Sequence, residues 1–173
     1  VLVQLPDGKS VLQVKAIATD AAFFRVFDFK FRSGKPFSES DFRNGKQCAV
    51  ISESLARRLF GDVQAVGRTV QFNYADYVVS GVVRDVSSLT PRTFAQIYIP
   101  YTCLDENQDP SALCGSYTVA IRVDRNKGQQ MRAEFDEKFR KYQVATGDTS
   151  VVIERPLPAW KYSAKDSGAG VLL

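Results

Sequence analysis

Short, almost wholly apolar runs bounded by turn residues most constrain this chain. CAVIS (48–52), YVVSGVVRDV (77–86) and AQIYIPY (95–101) are too short for helices of a large core and too apolar for exposed strands. Each reads as a compact buried strand, and a chain built on such runs must wrap other elements around them. Between them, Ser52 can cap a helix over SESLARRLFG. Leu55, Leu59 and Phe60 fall at helical spacing as core positions, Arg57 and Arg58 face outward, and Gly61 ends the helix. Gly67 turns the chain into RTVQFN, and Asn73 to Asp76 turn it again. Gly81, inside a strand, marks a bulge or a close backbone approach, and Pro100 closes the last run.

The flanks follow the same grammar. VLVQL and SVLQVKAIA are β-rich runs around Asp7-Gly8, a hairpin signal. Thr19 or Asp20 can cap a short helix carrying Phe23, Phe24 and Phe27. FKFRSGKPF is then extended up to Gly34, and 38–46 is polar turn material. Further on, GSYTVAIRV (115–123) alternates as a strand. A helix over about 127–142 places Met131, Phe135, Phe139 and Tyr142 on one stripe, and TSVVIERPL reads as a last strand.

The expected fold class is α+β in two lobes. One is a split β-α-β lobe, the N-terminal hairpin (1–18) plus the strand–helix–strand of 115–173. The other, 19–114, is an inserted β-rich lobe with short helices.

Composition removes several functions. The 173 residues contain no His, so no Ser-His-Asp or Cys-His nucleophile system exists within the chain. The net charge of +4 comes from basic residues spread along the sequence. The densest stretch, Arg132 to Lys141, is interleaved with Glu134, Asp136 and Glu137, a solvated helix face rather than a nucleic-acid footprint. SGKPF lacks the spaced glycines and hydroxyl residue of a phosphate loop. Glu39/Asp41, Asp105/Glu106/Asp109 and Glu134/Glu137 sit in polar loops or on a charged helix, with nothing to desolvate a catalytic dyad. The DENQD run lacks the ordered spacing of a calcium loop. No catalytic residue, metal site or cofactor is expected.

Cys48, Cys103 and Cys114 form no CxxC pair. Cys48 reads as a buried free thiol. Cys103 and Cys114 flank CLDENQDPSALC and could close that loop in an oxidising compartment, adding roughly 3 kcal/mol on the chain-entropy model; three reduced thiols are the alternative. The aromatic crowd of Phe23, Phe24, Phe27, Phe29, Phe31 and Phe37 reads mostly as core. Candidate partner contacts lie instead on loops: Leu89, Pro91, Arg92 and Phe94 in 87–94, and Asp105 and Glu106 in 102–114. No run of about 18 apolar residues is present, and the abrupt ends suggest a piece of a longer protein.

The central block resembles the extracytoplasmic domain of MacB/FtsX-like ABC transporter permeases. In VKAIATDAAFFRVFDFKFRSGKPFSESD, the residues Phe24, Gly34, Phe37 and Asp41 take the places of the family's aromatic helix and Gly-x-x-Phe turn. In CAVISESLARRLFGDVQAVGRTVQFNYADYVVSGVVRDV, the matching residues are Ala56, Leu59, Phe60, Gly61, Gly67, Arg68, Tyr77, Val79, Gly81 and Val82. AQIYIPY, with Pro100, follows in order. The match runs over 14–101 and consists of structural residues. Family members usually carry a further strand and helix before the point where this chain starts.

The resemblance implies a two-lobed domain between the first two transmembrane helices of a permease, on the periplasmic or extracytoplasmic face of the cell envelope. It implies a dimeric permease among other transporter subunits, driven by a cytoplasmic ATPase, with an adaptor, a lipoprotein or a cell-wall hydrolase as partner. The alternative is a secreted or periplasmic ligand-binding module, which predicts a sizeable apolar cleft.

Overall fold

The structure is a computed structural model that describes residues 1–4, 11–104, 118–124, 126–147 and 156–158. Eight strands form one mixed sheet: β1 (Leu2–Gln4), β2 (Val11–Gln13), β3 (Ala16–Thr19), β4 (Phe31–Gly34), β5 (Cys48–Ser52), β6 (Thr69–Phe72), β7 (Ala75–Val83) and β8 (Ile97–Pro100). Their order is β2-β1-β6-β7-β5-β8-β3, with β4 also paired to β7. The β5–β7 and β3–β8 pairs are parallel; the remaining pairs are antiparallel.

Both faces of this sheet are covered, which explains why its central strands lack the polar alternation of a half-exposed strand. Every residue of β5 and β8 is buried. On one face, Ala49, Ile51, Val79, Val82, Ile97 and Ile99 pack against Leu55, Ala56 and Leu59 of α3 (Glu53–Phe60). On the other, Cys48, Val50, Val83 and Tyr98 pack against Phe24 and Phe37, with Phe23, Phe29 and Phe31 half-buried around them. Phe24 belongs to α1 (Phe23–Val26), whose first amide, that of Phe23, donates to Asp20 Oδ1 at 2.9 Å.

Local chemistry sets the ends of α3 as expected. The Leu55 amide donates to Ser52 Oγ at 3.2 Å, and Gly61 stops the helix at φ 74°. Gly67 likewise turns at φ 83°. Phe60, expected in the core, is half-buried at the rim, with the Arg68 guanidinium 5.1 Å from its ring centre. Helical spacing gives a direction but not a depth, and Phe60 lies at the edge of the buried stripe formed by Leu55, Ala56 and Leu59.

Gly81 faces both predicted constraints at once. The β5–β7 register slips so that Ala49 faces Val79 while Val50 faces Gly81, leaving Ser80 as the bulged residue. Gly81 also lies opposite Gly34, which has φ 66°. A Cβ on Gly81 would sit 2.6 Å from Lys35 O, and one on Gly34 would sit 2.3 Å from Ser80 O. Only two facing glycines let these backbones approach so closely.

Three expectations change. Residues 38–46 hold α2 (Glu39–Arg43), not only a turn. Ser38 and Asp41 cap it reciprocally, a polar pattern that also reads as loop. The hairpin 1–18 is not set apart from 19–114. Val3 pairs with Phe72 and is buried in the same core, and the chain divides into compact units at 1–119 and 120–173. An unpaired edge on β6 is satisfied by the nearest antiparallel strand, which makes the hairpin part of this sheet. Of the expected strand 115–123, the described part, 118–123, pairs with no described strand, and the last strand expected from TSVVIERPL lies almost wholly outside the described residues. Alternation marks a face to be covered but does not supply a neighbour.

In the second unit, α4 (Gly128–Thr146) is a turn longer than expected and ends at Gly147 with φ 63°. Met131, Phe135 and Phe139 are half-buried, the two Phe rings stacked at 6.1 Å, while Tyr142 is exposed.

Candidate partner-contact surfaces

Segment 84–95 leaves the C-terminal end of β7 and returns to β8 as a braced turn. Thr90 Oγ1 and the Thr90 amide donate to Ser87 O at 2.7 and 3.0 Å, and the Phe94 amide donates to Thr90 O at 2.8 Å. Asp85 Oδ1 accepts the Ser54 amide at 3.1 Å, fastening the start of the segment to the first turn of α3. At the other end, the Tyr98 hydroxyl donates to Thr93 O at 2.8 Å and accepts the Ala95 amide at 3.3 Å. Its ring is packed among Phe24 and Phe29, with centroids 5.6 and 5.3 Å away. Burial pushes the Tyr98 phenol up to about 12, so it remains a donor.

Leu89 stands at the tip of this frame, 85% exposed. Lys15 clamps the flank: Nζ donates to Pro91 O at 2.9 Å and lies 5.6 Å from the centre of the Phe94 ring. Arg92 is exposed, and its Nη1 donates to Thr118 Oγ1 at 3.0 Å. The next residue, Val119, is 80% exposed. Of the expected contact residues, Leu89 and Arg92 are therefore exposed, whereas Pro91 and Phe94 are half-buried supports. Asp105, Glu106 and Cys114 lie outside the described residues. Lys15, Tyr98, Thr118 and Val119 were not expected in this place. Only Tyr98 carried a signal, a polar-tipped ring in an otherwise aliphatic strand.

The opposite end of β7 presents a different surface. Asn73 and Tyr74 connect β6 to β7 with φ of 45° and 67°, and Tyr74 is 92% exposed. Two left-handed central residues match the twist of a tight hairpin, but the second position favours glycine. An open recess of about 260 Å³ lies beside it, lined by Leu2, Gln4, Val11, Gln71 and Asn73.

The remaining candidate chemistry is occupied structurally. Asp41 is held down at about 2 by Ser38, through side chain and amide, and by Lys46 at 3.0 Å. Glu39 pairs with Arg43 at 3.0 Å and Glu137 with Lys141 at 2.7 Å. Glu134 Oε1 accepts from Gln130 at 2.9 Å. Burial raises the Cys48 thiol to about 11 and also raises that of Cys103, which is free and donates to Lys46 O at 3.2 Å. Among the described residues, no group of three or more Cys, Asp or Glu could hold a metal, and no helix is long and apolar enough to cross a membrane.

The motif residues Phe24, Gly34, Phe37, Leu59, Gly61, Gly67, Gly81 and Pro100 all serve packing or turns. All of them lie within residues 3–138, which match a family profile described as the MacB-like periplasmic core domain. The chain belongs to this family. MacB of Aggregatibacter actinomycetemcomitans, a macrolide export ATP-binding/permease protein, is 29% identical over 120 residues, 69% of this chain and 19% of that protein. YknZ of Bacillus subtilis, an ABC transporter permease, is 27% identical over 82 residues, 47% of this chain and 21% of that protein. The chain thus spans about a fifth of the length of these relatives. The crystal structure of the periplasmic region of MacB from Actinobacillus actinomycetemcomitans superposes with a TM-score of 0.63 at 16% identity. It covers 98% of this chain and 72% of that one, a likeness of fold. The α+β class of this MacB-like domain agrees with it.

Proposed function

We propose that this MacB-like domain is the extracytoplasmic part of an ABC transporter permease in the cell envelope. It performs no chemistry itself, contacts partner proteins through the 84–95 loop, and passes ATP-driven motion across the membrane within a dimeric permease. The observation that carries this reading is the family match over 3–138. It is supported by a chain without His and by described carboxylates bound up in caps and ion pairs. It is supported too by a contact loop fixed at both ends to a rigid sheet, the arrangement through which a push at the loop would reach the core. A ligand-binding module calls for an enclosed apolar pocket of roughly 300 Å³ or more, which the open recess of about 260 Å³ beside Tyr74, among the described residues, does not supply.

The test is topological. In cells producing the parent protein with its native cysteines replaced by serine, a cysteine placed at Ser88 reacts with a membrane-impermeant maleimide without permeabilisation. Labelling only after permeabilisation overturns the reading.

A further inference from the structure

The sheet ends at β2, and the hairpin register decides which backbone groups of that strand are left over. The Val1 nitrogen donates to Val14 O at 3.1 Å, the Val14 amide donates to Val1 O at 2.9 Å, and Val3 sits opposite Leu12. Bonded positions alternate along an antiparallel pair, so Leu12 turns its N–H and C=O to β1 while Val11 and Gln13 turn theirs away. Among the described residues, no group donates to or accepts from those outward groups. The strand also lacks the usual guards of a sheet edge. VLQ has no charge, no proline and no bulge, and Val11 is 61% exposed. The face beside it is equally neutral: Leu2, Gln4, Val11, Gln71, Asn73 and Tyr74 line one open recess. The other end of the sheet, β3, is flanked by the charges of Lys15 and Asp20.

A row of outward donors and acceptors calls for another extended backbone. Charge then points to the occupant. A two-fold interface sets each strand against its own copy, so a charged edge repels itself whereas a neutral one does not. Resting on the dimeric permease proposed above, we propose that β2 pairs antiparallel with β2 of a second copy, about a two-fold axis at Leu12. Val11 of each copy then exchanges N–H···O bonds with Gln13 of the other. This satisfies the outward groups of both strands and joins the two sheets into one. Leu12 meets Leu12 of the second copy as the closer, non-bonded pair, with about 4.5 Å between Cα atoms. A ladder of three residues is short. The pairing is therefore weak between free chains and is sustained where a permease dimer already holds the two copies at high effective concentration.

Cysteine cross-linking in membranes that contain the parent protein, its native cysteines replaced by serine, tests this. Under a mild oxidant, Leu12→Cys is expected to give a disulfide-linked dimer at least about fivefold more readily than Ala18→Cys on the β3 edge, because the non-bonded pair lies within disulfide reach. Chains with Val11→Cys produced together with chains with Gln13→Cys are the second arm, read alone if Leu12→Cys alters the melting transition. The mixed dimer is expected to exceed either self-linked one. Val11→Lys with Gln13→Lys sets like charges across the pair and is expected to lower the Leu12→Cys yield at least about fivefold. Val11→Lys with Gln13→Glu sets opposite charges there and is expected to restore it. Absence of linkage in both arms, equal linkage at Ala18, or indifference to the lysines overturns the proposal. Linkage of Leu12→Cys to a different protein gives the edge to another partner and overturns it too. Light scattering of the purified parent keeps the two readings apart: a dimer without linkage sinks only this pairing, whereas a monomer sinks the dimeric permease as well.

Discussion

The two faces of the sheet solve the same burial problem with different side chains. Under α3 the core is mainly aliphatic, with Ile51, Leu55, Leu59, Ile97 and Ile99 interlocked, and one ring pair, Phe72 and Tyr77, meets edge-on at 5.6 Å. Under α1 the core is a cage of rings, Phe24 lying 5.4 to 5.7 Å from Phe29, Phe31 and Phe37 and mostly edge-on. Aliphatic packing gives only area and shape. An aromatic cage can include a tyrosine whose ring is buried while its hydroxyl leaves the core as a hydrogen-bonding handle. Tyr98 does this, and its handle holds the contact loop. Stability is thus shared between the faces, and each holds one end of the loop: α3 through the Ser54 amide on Asp85, the ring cage through Tyr98 on Thr93.

The largest effects test that division. Phe24→Ala is expected to cost about 3–5 kcal/mol in a denaturant melt, and Leu55→Ala about 2–5 kcal/mol. The two differ in the loop. Amide exchange at Thr93 to Ala95 should accelerate more than the global loss explains in Phe24→Ala, and only in proportion to it in Leu55→Ala. Equal behaviour would mean that the loop is held by the sheet as a whole.

Tyr98→Phe sharpens the comparison by removing one atom. It leaves the ring packing and strips Thr93 O and the Ala95 amide of their partner, which should cost about 1–3 kcal/mol and free the 87–95 amides to exchange. A melt and exchange profile like the parent's would show the hydroxyl to be idle.

Smaller effects come from outside the two cores. Hydrogen bonds from Ser38 and the nearby Lys46 depress the Asp41 carboxyl in the folded protein to about 2 from its ordinary 3.8. Its contribution is therefore fully present above the higher value and is lost as pH falls through the lower one. Asp41→Asn is expected to cost about 1 kcal/mol at neutral pH, in keeping with a lost capping interaction. The gap between the two proteins should close between about pH 4 and 2; a gap independent of pH would locate the effect elsewhere. Tyr74→Gly is expected to stabilise the chain by about 0.5–1 kcal/mol, since glycine adopts a left-handed backbone without strain. Destabilisation there would mean that the exposed ring has packing the turn depends on.

Much of this molecule was legible in its residues because the relevant physics is local. The α3 caps at Ser52 and Gly61 and the β5, β7 and β8 runs depend on neighbours within a few positions. Gly81 announced itself as well, though not that Gly34 would be the backbone facing it. The half-burial of Phe60 is not legible, because spacing along a helix gives a direction and not a depth. The α2 helix was missed because Ser38 and Asp41 read equally well as a turn until their side chains meet.

The contact patch divides the same way. Leu89 and Arg92 could be named from the sequence, since a loop between two buried strands is a natural place for binding residues. Lys15, Tyr98 and Val119 could not, because they arrive from far along the chain through pairing that no local pattern encodes. The parallel β3–β8 ladder brings the residues around Lys15 beside Gln96 and Pro91. What the amino-acid sequence determined alone was the inventory of buried strands, the α3 boundaries and the absence of a histidine-based site, all set by composition and short-range periodicity. What the tertiary structure decided was which strands became neighbours, and so which distant side chains share the surface around Leu89. That choice depends on satisfying every backbone edge at once, a condition that no single segment can meet by itself.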